Sequence, residues 1–273
     1  MRRVIPFILF CLIAAPISGL AQPSRVVSIN LCTDQLLLML ADPEQIASIS
    51  DLALEPDSSY MAKEAAGYPV NHTRAEELLI LNPDLILASN YTNPILIRLL
   101  RKLGYRVEIF SAASSIEHIR QRIRRMAALL GNPDSGEKLI MVMDRRLNLA
   151  IKKQPARQPK AIFYQPNGYT SGSDTLQDTA LTLAGWRNLA RELGVRGYGA
   201  IDLETLLLAE PDQLFSSAYT IDTHSLAQRR LTHPALNLVT QGRDIINIGY
   251  KYWICGGPMI AEAVERLQES LPE

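Results

Sequence analysis

Cysteine is scarce in this chain of 273 residues: there are three, and none form a Cys-x-x-Cys pair or a zinc-finger spacing. Charge of one sign is not in excess, because 28 lysines and arginines balance 28 aspartates and glutamates. A nucleic-acid binder usually carries a basic surplus, so no nucleic-acid partner is expected. Aromatic residues are few, at 6%, so each one placed in a loop is informative. Gly-x-Ser-x-Gly, His-Glu-x-x-His and a phosphate-cradling glycine loop are all missing. Gly194 to Gly199 is glycine-rich but has the wrong spacing for one. Asp51, Glu55, Asp57 and Glu64 share a loop without an obvious reacting partner. No enzyme is expected from this inventory, and no cofactor.

What is present begins with a leader. Arg2 and Arg3 precede an apolar run of 14 residues, Val4 to Ile17, and Gly19-Leu20-Ala21 offers a small-x-small cleavage site. The run is too short to span a membrane as a mature anchor. Cleavage near Ala21 predicts an exported, periplasmic protein with 26 basic and 28 acidic residues. Its two remaining cysteines, Cys32 and Cys255, lie 223 residues apart. In an oxidising compartment they could pair.

Beyond the leader, β-branched runs alternate with helical periodicity. Strands are expected at Arg25–Asn30, Ile46–Ile49, Leu85–Ala88 and Arg106–Phe110, with helices at Thr73–Leu81, Pro94–Leu103 and Ser115–Leu130. Thr73 and Glu76 have capping-box spacing. Asp134–Lys153 predicts a helix of about 20 residues, roughly 30 Å long, with Leu139, Ile140, Met143, Leu147, Ala150 and Ile151 on one face. A second set follows: strands at Ala161–Tyr164, Gln213–Ser216 and Asp244–Ile248, helices at Thr175–Ala184, Leu203–Ala209 and Pro258–Leu267. Alternation of this kind implies parallel sheets in an α/β fold.

An internal repeat sets the architecture. Residues 76–92 and 204–220 align at an offset of 128 with eight identities in 17 positions. Glu76, Leu78, Leu79, Pro83, Asp84, Ser89, Tyr91 and Thr92 recur as Glu204, Leu206, Leu207, Pro211, Asp212, Ser217, Tyr219 and Thr220. Two copies so far apart predict two similar lobes: 22–133, a bridging helix and linker at 134–156, and 157–273, after a leader at 1–21. In open α/β sheets ligands bind beyond the carboxyl ends of the strands. Those ends carry Asn30, Cys32 and Thr33, then Tyr91, then Gln165 to Gly172 with Asn167 and Tyr169, then Tyr219, and finally Tyr250 to Gly257 with Trp253. A cleft so lined suits a bulky, partly apolar ligand with polar edges.

These features resemble the periplasmic binding proteins that deliver iron–siderophore chelates and cobalamin to ABC importers. Arg25-Val-Val-Ser-Ile29, the Asn82-Pro-Asp-Leu-Ile86 core within Glu76–Leu87, Leu99–Val107, the single long helix and the loop Thr170-Ser-Gly-Ser173 carry the likeness. It implies two Rossmann-like lobes joined by one helix, a cleft between them with limited closure, and a monomer. It also implies one exposed glutamate per lobe, pairing with arginines of a permease dimer; Glu76 and Glu204 match those positions. Ordinary helix capping is the alternative for both. Asn30, Cys32, Thr33, Tyr60, Tyr91, Asn167, Tyr169, Tyr219, Trp253 and Cys255 are the candidate ligand contacts. For Cys32 and Cys255 three states stay open: buried thiols, a disulfide, or soft-metal ligands. His72, His118, His224 and His233 do not cluster, which favours an already chelated metal over a bare ion. Arg74, Arg98, Arg187 and Arg196 could meet a chelate's acidic groups, or simply face solvent. With only two tryptophans, an iron–siderophore chelate ranks ahead of cobalamin or haem.

Overall fold

The computed structural model describes residues 22–217, 234–240 and 242–272. The leader Met1–Ala21, Tyr219, His224 and His233 lie outside them.

The first lobe winds β1 (Val26–Ser28), α1 (Leu31–Leu40), β2 (Ile46–Ser50), α2 (Ala62–Ala65), β3 (Val70–Asn71), α3 (Ala75–Leu81), β4 (Leu85–Ser89), α4 (Pro94–Lys102), β5 (Val107–Phe110) and α5 (Ile116–Leu130). Its five strands lie parallel in the order β3-β2-β1-β4-β5. That is the doubly wound arrangement, whose order reverses between β1 and β4. β1 and β4 are buried throughout because both sheet faces are covered by helices. The chain leaves β1 through Asn30, whose side chain accepts from Cys32 N at 3.0 Å and starts α1.

The bridge is α6 (Pro133–Lys152), 20 residues long, with Pro133 at its first position. Gly136, Ile140, Met143, Leu147 and Ala150 form its buried stripe. One apolar core runs along that stripe, from Val26 and Leu37 of the first lobe to Phe163 and Trp186 of the second.

The second lobe contains β6 (Lys160–Phe163), β7 (Tyr169–Ser171), α7 (Leu176–Ala184), β8 (Arg187–Asn188), α8 (Leu189–Glu192), β9 (Tyr198–Ala200), α9 (Leu203–Ala209), β10 (Gln213–Ser216), α10 (Pro234–Thr240), β11 (Ile246–Asn247) and α11 (Ile260–Glu269). Its parallel sheet runs β11-β10-β6-β8, the counterpart of β5-β4-β1-β2. An antiparallel ribbon, β7 with β9, stands apart from it. Gly172 permits the close approach of the segment before β9, since a Cβ there would fall 2.0 Å from Val195 O.

The repeat has a physical cause. Asp84 accepts from Ser24 N and Arg25 N at 2.7 and 3.1 Å, and returns its own N–H to Arg25 O. Asp212 does the same to Lys160, accepting from its N–H at 2.7 Å and donating to its carbonyl at 2.9 Å. In each lobe the Pro-Asp turn thus clamps the start of the first strand, β1 or β6, to the start of its neighbour, β4 or β10. Asn82 and Glu210, at the matched helix ends, both turn left-handed, with φ of 43° and 48°.

Two local expectations fail: Ile151, expected in the α6 stripe, is 44% exposed, and α3 lacks its expected cap. Thr73 does not cap α3: it has φ of 60°, and the helix starts after Arg74 without a side-chain cap. Glu77, not Glu76, reaches back, its carboxylate accepting from His72 N at 2.6 Å. Glu76 is left pointing to solvent.

Candidate functional site

The carboxyl ends of the two sheets meet along one seam. Cys32, in the first turn of α1, is disulfide-bonded to Cys255, with Cα atoms 4.8 Å apart. Of the three states open to these cysteines, pairing is the one found. The bridge joins the lobes where their strand ends face each other, and neither thiol is left to hold a metal.

A second tie lies nearby. Arg122 of α5 donates through Nη1 to the carbonyls of Cys255 and Gly256. Burial lowers its pKa to about 10. Gly256 packs on Ala113 so tightly that a Cβ would sit 2.8 Å from it. A third tie involves Tyr60, whose hydroxyl donates to Glu262 Oε2 at 2.8 Å, while Tyr252 donates to Oε1 at 2.9 Å. Arg266 adds a contact to Oε1 at 2.8 Å. Burial pushes the Glu262 carboxyl up, but the bonds from Arg266, Tyr60 and Tyr252 outweigh it and hold the pKa below its usual value. Burial, then the Glu262 bond, raise Tyr60, and raise Tyr252 to about 12. Tyr60 is therefore an interlobe strut, with its hydroxyl committed to a carboxylate.

Other expected contacts divide the same way. Thr33 is buried, its hydroxyl paired with Ser28 Oγ at 2.7 Å and Asn30 O at 2.9 Å. Asn30 is a helix cap. Trp253 is only 4% exposed. Its indole donates to Ser217 Oγ at 2.7 Å and packs edge-on against Phe163, centroids 5.2 Å apart. It belongs to an aromatic core with Phe215 and Trp186, because an indole buries more surface there than any smaller side chain would. These residues shape the seam from behind.

The open residues are tyrosines. Tyr91, just past β4, is 77% exposed; Tyr198, at the start of β9, is 72% exposed; Tyr169 of β7 is also open. Asn167 lies beside Tyr169, exposed and in a left-handed conformation at φ 61°. Tyr198 lies within electrostatic reach of Tyr91 and Tyr250. Its phenol pKa is raised, first by burial among neighbouring groups, then by the charges of Tyr250 and Tyr91. Tyr91 belongs to the first lobe and Tyr198 to the second. Tyr198 also donates to Gln177 Oε1 at 3.4 Å. Its glycine-rich surroundings and the ribbon that presents it gave no signal in the linear pattern.

Beneath this surface in the first lobe lies Asp34, fully buried, accepting from Ser50 N at 3.1 Å and Ser50 Oγ at 2.5 Å. Burial raises its pKa to about 7. Glu76 and Glu204 are exposed in the first turns of α3 and α9. Among the described residues, no three His, Cys, Asp or Glu gather to hold a metal, and no helix is long and apolar enough to cross a membrane.

Known proteins share this build. The heme-binding protein HutB of Vibrio cholerae superposes with a TM-score of 0.76 at 22% identity, over 90% of this chain and 97% of its own. A vitamin B12-binding protein of Photorhabdus laumondii is 24% identical over 256 residues, 92% of this chain and 89% of its own. A cobalamin-binding protein of Halobacterium salinarum is 26% identical over 197 residues, 70% of this chain; the match spans about half, 53%, of that longer relative. The family model described as "Periplasmic binding protein" matches residues 26–243, from the first strand nearly to the last. Two doubly wound lobes on one helix, with strand ends turned toward a shared cleft, are accordingly inherited features: the chain belongs to the periplasmic binding protein family.

Proposed function

We propose that this chain captures a metal-bearing tetrapyrrole, corrin or porphyrin, in the cleft between its lobes and hands it to an ABC importer. The observation that carries the proposal is the pair of open phenols, Tyr91 and Tyr198, set on opposite lobes. Phenol rings offer flat faces for a macrocycle, and phenol oxygen is a hard donor suited to a ferric centre. The metal would arrive inside its chelate, as part of the substrate. The relatives named above bind cobalamin or heme. That moves the preference from an iron–siderophore chelate, favoured on tryptophan count, to a tetrapyrrole. Both tryptophans are buried in the second lobe, so their number says nothing about the cleft wall.

On this proposal the protein acts by binding, without catalysis, after export and removal of residues 1–21. Glu76 and Glu204 face a permease dimer. Two matched carboxylates on a pseudo-symmetric carrier suit a two-fold symmetric partner, and exposed charges speed encounter.

The test is an absorbance titration of residues 22–273 with hemin, cyanocobalamin, a ferric hydroxamate and a ferric catecholate. Saturable one-to-one binding of hemin or cyanocobalamin, weakened in Tyr91→Phe and Tyr198→Phe, is the expected result. Saturation by a siderophore alone would overturn the tetrapyrrole assignment.

A further inference from the structure

The repeat places more than an acid on each lobe. Ile80, one helical turn after Glu76 on α3, is 83% exposed. Leu208, one turn after Glu204 on α9, is 86% exposed. Each pair is spaced i, i+4 and so shares a helix face. Both helices have seven residues, and both end in a left-handed residue at the same offset. Arg25 and Lys160, at the matched strand starts, donate to Leu81 O and Ala209 O and tie each helix end to its sheet in the same way. Beneath each helix, Leu78 and Leu206 are wholly buried, so the sequence supplies apolar side chains for both faces of these short helices. A single exposed aliphatic residue is common and needs no explanation. Two at matched positions, each beside an exposed carboxylate, make a motif stated twice.

We infer that Ile80 and Leu208 are the apolar halves of two equivalent docking patches, whose acidic halves are Glu76 and Glu204; this rests on the transport proposal above. The occupant is a two-fold symmetric membrane partner that presents, at each of two sites, a cationic side chain beside an apolar hollow. Charge complementarity selects it. A second copy of this chain would set Glu76 or Glu204 against another of the same acids, which disfavours pairing. Division of labour follows from the chemistry. The carboxylates steer encounter and are screened by salt, whereas aliphatic side chains act once water is excluded and slow departure.

The experiment replaces the chromosomal copy in the source organism with variants and measures uptake of radiolabelled cyanocobalamin and of hemin. Purified I80S/L208S and E76Q/E204Q are titrated with the same chelates and should bind them as the parent does. I80S/L208S should lower uptake about tenfold, the effect of losing an interface anchor, and each single variant should lower it less. Lost uptake in E76Q/E204Q with parental uptake in I80S/L208S would overturn the inference and leave the transport proposal standing. Parental uptake in both double variants would remove the docking assignment altogether. Sedimentation provides the other arm: a parent dimer that dissociates in I80S/L208S would assign the patches to a second copy and overturn the inference. If deletion of the parent gene leaves the uptake of both chelates intact, the transport proposal fails first.

Discussion

Asp34 and Asp178 stand at corresponding places, each buried in the first turn of its lobe's first helix, and only Asp178 has a cation. Asp178 accepts from Arg191 Nη2 at 2.5 Å and from Asn188 Nδ2 at 2.9 Å. Asp34 accepts from the Ser50 hydroxyl and amide, near the end of the neighbouring strand β2. The same scaffold position thus holds an ion pair in one lobe and a carboxyl that prefers its proton in the other.

That difference gives stability a pH slope. The folded chain keeps the Asp34 proton up to about pH 7, whereas the group ordinarily loses it near 3.8. Between those values the unfolded chain binds fewer protons, so stability declines as pH rises through this window and levels off above it. The decline is on the order of a few kcal/mol. Asp34→Asn mimics the neutral acid, and urea melts from pH 4 to 8 should show this slope flattened. An unchanged slope in the variant would dismiss Asp34 as its source.

Loss of the Cys32–Cys255 bridge should be costly. It closes a 223-residue span, and removing a native disulfide typically costs about 2–5 kcal/mol. Cys32→Ser/Cys255→Ser should melt at lower temperature than the parent, and a reductant should shift the parent but not the variant. Equal shifts in both would point to some other effect of the reductant.

Tyr60→Phe separates a strut from a ligand contact. It removes one hydrogen bond to the Glu262 carboxylate, worth about 1.5–3 kcal/mol. Stability measured in urea should fall by that order while chelate affinity stays near the parent value. The opposite pattern would return Tyr60 to the ligand wall.

Tyr91→Phe and Tyr198→Phe should behave in reverse. Both side chains are largely open, so stability should change by less than about 0.5 kcal/mol. On the tetrapyrrole proposal, affinity for hemin or cyanocobalamin should drop about tenfold or more in isothermal titration, as expected when a ligand's polar partner is removed. A stability loss without an affinity loss would place these phenols among the structural residues.

The features visible in the sequence are those that local pattern encodes. β4 and its flanking Pro-Asp turn, most of the stripe of α6 and the Gly131 helix end follow from spacing and backbone preference. The repeat, and with it the two lobes, could be found because each clamp reuses one aspartate. The site was harder to read because its parts are fixed by distant contacts. Trp253 looks like a cleft aromatic until its bond to Ser217 and its edge-on contact with Phe163 are known, and Tyr60 until Glu262, 202 residues later, is seen beside it. Tyr198 went unnoticed because it is presented by β7 pairing with β9, an antiparallel ribbon across a helix-bearing loop. Thr73 has the residue type of a cap, but its positive φ turns the chain away.

One rigid helix, a disulfide and the Glu262 cluster together hold the lobes like the jaws of a fixed gauge. On the transport proposal, a carrier held this way should differ little in outline between its empty and loaded forms. A membrane partner that felt only that outline would greet both forms alike, since an equilibrium shifts only where two states are bound unequally. The news that cargo has arrived must then be carried by the cargo itself, through the part of the chelate left showing between the jaws.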